Sequence, residues 1–201
     1  MEKIRPIILA SASPRRQQLL EWAEVPFEVI VKHTDETLPE GIPVEDAAIE
    51  VARTKAYAVR HSIARGEYHS SVYEMNLPLV AADTIVVLDN RIIGKPETRD
   101  QAVDFLTALS GKTHRVITGV FIMYLDEEIA FADKTEVTFY ELTREQIEFY
   151  VDKYKPYDKA GAYAIQEWIG VIGIKSIIGD FYNVMGLPVS RVVTALMGLK
   201  K

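Results

Sequence analysis

Pro6-Ile7-Ile8-Leu9-Ala10-Ser11-Ala12-Ser13-Pro14-Arg15-Arg16 is the stretch whose reading decides the fold. The apolar run from Pro6 to Ala10 reads as a short buried strand. Ser13 followed by Pro14 reads as an N-cap and first helical residue, because the N–H that proline lacks is one the first turn leaves unpaired anyway. The helix it opens runs to about Glu24. A strand, a loop of small residues and a helix in immediate succession begin an α/β protein.

The rest of the chain continues the alternation. Phe27 to Val31 is a second strand, and Thr34 to Pro43 is an acidic loop punctuated by prolines and a glycine. Val44 to Ala64 is a helix whose apolar stripe takes in Val44, Ala48, Val51 and Val59, and Lys55 falls on that same stripe. Arg65 to Asn76 reads as a polar surface connection. Leu79 to Leu88 is a β-prone run interrupted at its centre by Asp83 and Thr84. Thr98 with Gln101 spells a capping box for a helix that Gly111 ends, and Thr143 with Gln146 spells another for a helix stopped by Pro156. Val116 to Tyr124 and Thr135 to Tyr140 read as strands joined in a hairpin, Trp168 to Ile178 as buried sheet, and a last helix starts near Pro188. The pattern predicts one α/β domain over residues 1–201, with a central twisted mixed sheet and helices on its faces.

Composition narrows the chemistry. With 23 Lys+Arg against 29 Asp+Glu the net charge is −6, and 48% hydrophobic with 26% charged residues is ordinary for a globular chain. The absence of cysteine excludes disulfides, thiolate nucleophiles, Cys-ligated zinc and iron–sulfur clusters, and suits a reducing compartment. No signal-peptide core is visible, and the longest apolar run, Trp168 to Ile174, falls far short of the ~20 residues of a membrane span. A cytoplasmic location is expected. The pI near 5.3 argues against an extended nucleic-acid surface, which needs many Lys and Arg contacts.

Three constellations could carry chemistry. Arg15 and Arg16 stand in a first helical turn, where each opposes the helix dipole by ~0.3–1 kcal/mol, and an anion there would reverse the sign. With Ser11, Ser13 and free backbone N–H groups they could cradle a phosphate chain; the plain alternative is a capped helix with solvated arginines. Asp83, a carboxylate inside an apolar run, is costly to bury unpaired and so belongs at a strand end, in a cleft, beside a cation or a metal. It could serve as a general base or a metal ligand, unless it simply ends a strand at a turn. Asp35 and Glu36 could add oxygen ligands for a hard cation such as Mg²⁺. Lys55, Lys95 and Lys159 could offer point charges to phosphates, or merely bury their stems. Ser110-Gly111-Lys112-Thr113 is no P-loop, since the first glycine of that motif falls at Leu106 and a strand follows. His33, His61, His69 and His114 lack tight metal-ligand spacing, and His114 reads as structural or as a residue that supports a site from behind.

Taken in order, several motifs resemble the Maf-like nucleoside triphosphate pyrophosphatases: Leu9 to Arg16 with Leu19-Leu20, Ala82-Asp83-Thr84, Gly94-Lys95-Pro96, Leu109 to His114, Thr118-Gly119, Asp158 to Gln166, and Asn183 to Pro188. The resemblance implies two lobes about a deep cleft, similar to the inosine triphosphate pyrophosphatase architecture, and hydrolysis between the α and β phosphates. It implies Asp83 as proton acceptor, Ser11, Arg16, Lys55 and Lys95 as phosphate contacts, Glu36 with Asp83 near a divalent cation (Mg²⁺ or Mn²⁺), and a homodimer. Arg15, Thr84 and Gln166 are similar to the branch acting on dTTP and UTP. The branch acting on 7-methyl-GTP typically has an aromatic residue at the Arg15 position. A pyrophosphatase for 7-methyl-GTP or another modified nucleotide, and a nucleotide-binding regulator of septum formation, are the alternatives. Two places depart from the family pattern: Arg65 to Asn76 aligns with no motif, and Asp180 stands where a small polar residue is expected.

Overall fold

In the computed structural model, which describes residues 4–68 and 76–199, the alternation is realised as a seven-stranded sheet with helices between its strands. Most of the connection from Arg65 to Asn76, with His69, lies outside the described residues. The strands are β1 (Ile7–Leu9), β2 (Phe27–Val29), β3 (Leu79–Leu88), β4 (Arg91–Ile93), β5 (Thr113–Tyr124), β6 (Glu127–Phe139) and β7 (Ile174–Ile178). The helices are α1 (Pro14–Trp22), α2 (Val44–Ala64), α3 (Arg99–Leu109), α4 (Arg144–Tyr154), α5 (Trp168–Gly173), α6 (Phe181–Met185) and α7 (Val189–Gly198). Strand order is β2-β1-β3-β5-β6-β7, with β4 on β3. β1 runs parallel to β2 and β3, while the β3–β4 and β6–β7 pairs are antiparallel, so the sheet is mixed as expected.

The chain forms two compact units, and β3 contributes to each. The first comprises the chain up to Asp83, Thr118–Asp133 and the chain from Gly186 onward. Its core gathers Ile8 and Ala10, Ala52, Ala56 and Val59 of α2, Leu79 and Ala81 of β3, and Phe121 and Met123 of β5. The α2 stripe is the source of that contact, since residues about one turn apart share a helix face. Gly119 sets how close α2 lies to β5. A Cβ there would stand 2.3 Å from the Ala48 carbonyl carbon and 2.4 Å from the Ile49 nitrogen, so only glycine admits this approach.

The second unit comprises Thr84–Ile117 and Lys134–Met185. His114 and Tyr163 meet Phe139 in a ring cluster with centroids 5.1 to 5.5 Å apart. The Thr143 capping box forms in full, Thr143 Oγ1 accepting from Gln146 N at 3.2 Å and Gln146 Oε1 from Thr143 N at 2.8 Å. The Thr98 box closes only halfway. Thr98 Oγ1 accepts from Gln101 N at 3.2 Å, but Gln101 Oε1 accepts from Glu97 N, one residue earlier.

Three expectations are corrected. Trp168 to Ile178 is not buried sheet but a short helix, α5, followed by β7, which ends the strand order. Val171 is 81% and Ile178 69% exposed. The segment misleads because its apolar run, Trp168 to Ile174, has no period to read. The strand expected over Thr135 to Tyr140 is the second half of the longer β6, which ends at Phe139 and is joined to β5 through Leu125 and Asp126 with Leu125 left-handed at φ 54°. Asp83 does not end a strand; β3 runs through it without a break.

Candidate active site

The first unit assembles charge around the loop after β1. Ser13 takes the N-cap position of α1, but its hydroxyl makes no cap, and the first turn holds no acidic residue. Ser11 Oγ accepts from Arg16 Nη1 at 2.9 Å and from Ser13 N at 3.3 Å. Arg16 is 8% exposed, and its Nε donates to the Gly186 carbonyl at 2.7 Å. Burial pulls its pKa below the ordinary value; the negative charge of Asp83 opposes that pull, Arg15 adds to it and Glu36 opposes it. Asp83 and Glu36 therefore lie within electrostatic reach of Arg16, which remains a cation.

Lys55 is the hub of the acidic side. From the buried stripe of α2 its Nζ reaches Asp83 Oδ1 at 2.6 Å and Glu36 Oε1 at 2.9 Å. The Lys55 and Asp83 side chains are 12% and 16% exposed and that of Glu36 is 45% exposed, so the cluster opens toward solvent on the Glu36 side. Asp35 is not part of it. Its Oδ1 accepts from Thr37 N at 2.9 Å and from the Thr37 hydroxyl, bonds that hold its exposed carboxyl below the usual range. Among the described residues no group of three or more His, Asp or Glu side chains is placed to hold a metal. Asp83 and Glu36 nevertheless converge on one cation position. A hard ion such as Mg²⁺ commonly takes one or two carboxylates and completes its shell with water and substrate phosphates, so this donor pair fits it.

The second unit carries the remaining candidates. Thr84 follows Asp83 on β3, and these two are the half-buried positions in a strand otherwise buried on both faces. Lys95 is exposed just past β4, where the Gly94 carbonyl accepts from Gly161 N at 3.0 Å and so ties that turn to the Asp158 to Gln166 segment. Gly161 is left-handed, at φ 73°. Lys159 is buried, with Nζ 2.8 Å from Asp158 Oδ1 and 3.6 Å from Glu167 Oε1. Gln166 is half-buried, and its enclosed Oε1 has no hydrogen-bond partner among the described residues. Such an acceptor can take an N–H from a ligand without breaking an existing bond.

The residues that fix this segment escape a reading of the sequence. Tyr150, fully buried on α4, donates to Glu167 Oε2 and accepts from Ala164 N at 3.1 Å. Burial and the Glu167 bond both push its phenol pKa up. His114 Nε2 lies 2.7 Å from the Tyr163 hydroxyl. Tyr150 reads only as part of an apolar helical stripe, so nothing in its spacing marks the hydroxyl. His114 is buried, as expected of a structural residue or of one that supports a site from behind.

A buried arginine at the mouth of a strand–loop–helix turn and a lysine between two carboxylates suit a protein that handles a phosphate chain together with a hard cation. The family model described as Maf-like protein matches residues 6–199, and the chain belongs to that family. A Parabacteroides distasonis protein named dTTP/UTP pyrophosphatase is 45% identical over 191 residues, 94% of each chain. A Phocaeicola vulgatus protein of the same name is 44% identical over 200 residues, 99% of this chain and 98% of that one. A solved structure described as the Staphylococcus aureus Ham1 protein is similar over 98% of this chain and 100% of that one, at 15% identity and a TM-score of 0.47, too loose a likeness to build on.

Proposed function

We propose that this protein is a nucleoside triphosphate pyrophosphatase that cleaves dTTP and UTP between the α and β phosphates, giving the monophosphate and pyrophosphate and clearing excess or non-canonical nucleotides. The observation that carries the reading is the Glu36–Lys55–Asp83 cluster, within electrostatic reach of Arg16. Family membership and the shared name of its relatives support the substrate class.

Asp83 and Glu36 would hold a divalent cation, Mg²⁺ or Mn²⁺, which when bound neutralises phosphate charge and polarises the phosphoryl oxygens. Asp83 is the proton acceptor. It orients the attacking water and takes its proton, a role that depends on proximity more than on a shifted pKa. Ser11, Arg16, Lys55 and Lys95 bind the phosphates, the cations offsetting the charge that grows on departing pyrophosphate. Arg15, Thr84 and Gln166 set the base preference. The enclosed Gln166 Oε1 suits the imide N3–H that uracil and thymine share. One methyl group is worth only ~1–3 kcal/mol, so dTTP and UTP are both accepted.

No helix among the described residues is long and apolar enough to cross a membrane. The cytoplasm is the proposed location, a homodimer the proposed assembly, and no nucleic-acid polymer is a partner. The test is pyrophosphate release from dTTP, UTP, CTP, GTP and 7-methyl-GTP with Mg²⁺ or Mn²⁺. Release from dTTP and UTP with matching monophosphates is expected, and Asp83→Asn lowers the rate by about 10²–10⁴-fold while nucleotide binding persists. Release from 7-methyl-GTP instead would reassign the substrate, and silence across the panel would remove the activity.

A further inference from the structure

We propose that the Lys55 ammonium holds the divalent cation's place between Asp83 and Glu36 and leaves it when the ion arrives, so that metal binding and triphosphate binding are coupled through this one side chain. The proposal rests on the reading of Asp83 and Glu36 as metal ligands. It adds a role for Lys55 that a phosphate contact alone does not contain.

The geometry points to it directly. One nitrogen lies within hydrogen-bond distance of an oxygen from each carboxylate, 2.6 Å from Asp83 Oδ1 and 2.9 Å from Glu36 Oε1. Two carboxylates converging on one point repel unless a cation stands between them. Here that cation is Lys55, which keeps both oxygens aimed where an ion would need them. A divalent ion taking the same oxygens competes for them with an ammonium a few ångströms away, and the like charges repel in this partly desolvated site. Arg16 already places positive charge within reach of both carboxylates, so the arriving ion adds to an existing cationic field.

Lys55 can yield without moving the fold. Its four-carbon stem has several rotatable bonds, and α2 is anchored independently by Ala52, Ala56 and Val59 in the core. The displaced ammonium then lacks a counter-anion until a triphosphate supplies one. Metal alone therefore binds against the loss of the Lys55 bonds, and with triphosphate present the new phosphate contact of Lys55 offsets that loss. Such coupling is reciprocal: whatever factor the nucleotide adds to metal affinity, the metal adds to nucleotide affinity.

The test is Mn²⁺ binding without nucleotide, followed by electron paramagnetic resonance. Lys55→Met keeps the stem and removes the charge, and it tightens Mn²⁺ by about tenfold, within the range of ordinary site–site coupling. Unchanged or weakened affinity in a folded Lys55→Met protein would overturn the proposal. The wild-type chain gives a second readout independent of any variant: acetylation of Lys55 by acetic anhydride, measured by mass spectrometry. Saturating Mn²⁺ raises Lys55 labelling, and adding α,β-imido-dUTP lowers it again. Labelling indifferent to Mn²⁺ overturns the proposal even if Lys55→Met does not fold. Asp83→Asn and Glu36→Gln separate the two levels. If neither weakens Mn²⁺ binding, the ligand assignment itself fails; if both do and Lys55→Met tightens nothing, only the place-holding role fails.

Discussion

Arg16 Nε donates to the carbonyl of Gly186 at 2.7 Å, joining the first turn of α1 to the turn that precedes α7 across 170 positions of sequence. The same guanidinium donates through Nη1 to Ser11 Oγ. A side chain proposed as a phosphate contact is thus also a buried brace. Arg16→Ala leaves the Gly186 carbonyl without this donor, and hydrogen bonds to charged groups are worth about 1.5–3 kcal/mol each. Urea unfolding should show a loss of about that size, together with loss of pyrophosphate release. Arg16→Lys keeps the charge but not the fork, so it recovers only part of either. An Arg16→Ala protein as stable as wild type would confine Arg16 to the ligand.

Tyr150 governs the segment that carries Gln166. Its hydroxyl is the partner of Ala164 N and of Glu167 Oε2, and Tyr150→Phe removes both bonds without changing the packed ring. A buried donor left unpaired costs about 1–3 kcal/mol. Beyond that loss, KM for dTTP and UTP should rise several-fold with kcat little changed, and the preference over CTP should narrow. A loss of stability with the preference intact would make Tyr150 purely structural.

The sequence makes legible what has a local signature. Ser13-Pro14 announces α1, and Thr143 with Gln146 announces α4. The first holds through the proline in the first turn, since the Ser13 hydroxyl makes no cap, and the second through a complete capping box; both signals act within a few residues. Lys55 and Asp83 stand out because each breaks an apolar pattern, and the structure joins them at 2.6 Å. Their third member has no such signal. Glu36 lies in an aperiodic loop, and only family resemblance, not spacing, separates it from Asp35, which bonds Thr37 instead. Tyr150 is hidden for the opposite reason, fitting its stripe so well that the hydroxyl's partners are invisible. At Trp168 to Ile178 the apolar run up to Ile174 conceals a change from helix to edge strand.

Gly119 tests the packing that holds α2, and with it Lys55, against the sheet. Gly119→Ala would put a methyl carbon 2.3 to 2.6 Å from the backbone of Ala48 and Ile49, atoms that cannot step aside as a flexible side chain could. Overpacking of a buried contact typically destabilises by about 1–3 kcal/mol, and backbone on both sides places this one at the upper end. Thermal unfolding should register a clear fall in Tm, and any residual activity should need more metal. An unshifted Tm would mean that α2 can move away from β5 freely.

His114 makes stability depend on pH in a defined window. Burial pushes its imidazole down to about 4, from 6.5, because the charged form would lose its water. The folded state therefore keeps His114 neutral where the unfolded chain would protonate it. The stabilisation is fully present above pH 6.5 and is lost as pH falls through about 4, a total of about 3 kcal/mol at 1.36 kcal/mol per pH unit. Gln offers its amide nitrogen near the Nε2 position that faces the Tyr163 hydroxyl, and it does not titrate. His114→Gln should thus flatten the fall of unfolding free energy between pH 6.5 and 4 by one proton's worth of slope, while carboxylate contributions remain in both proteins. Parallel curves for the two proteins across that window would show that His114 takes up its proton as readily folded as unfolded.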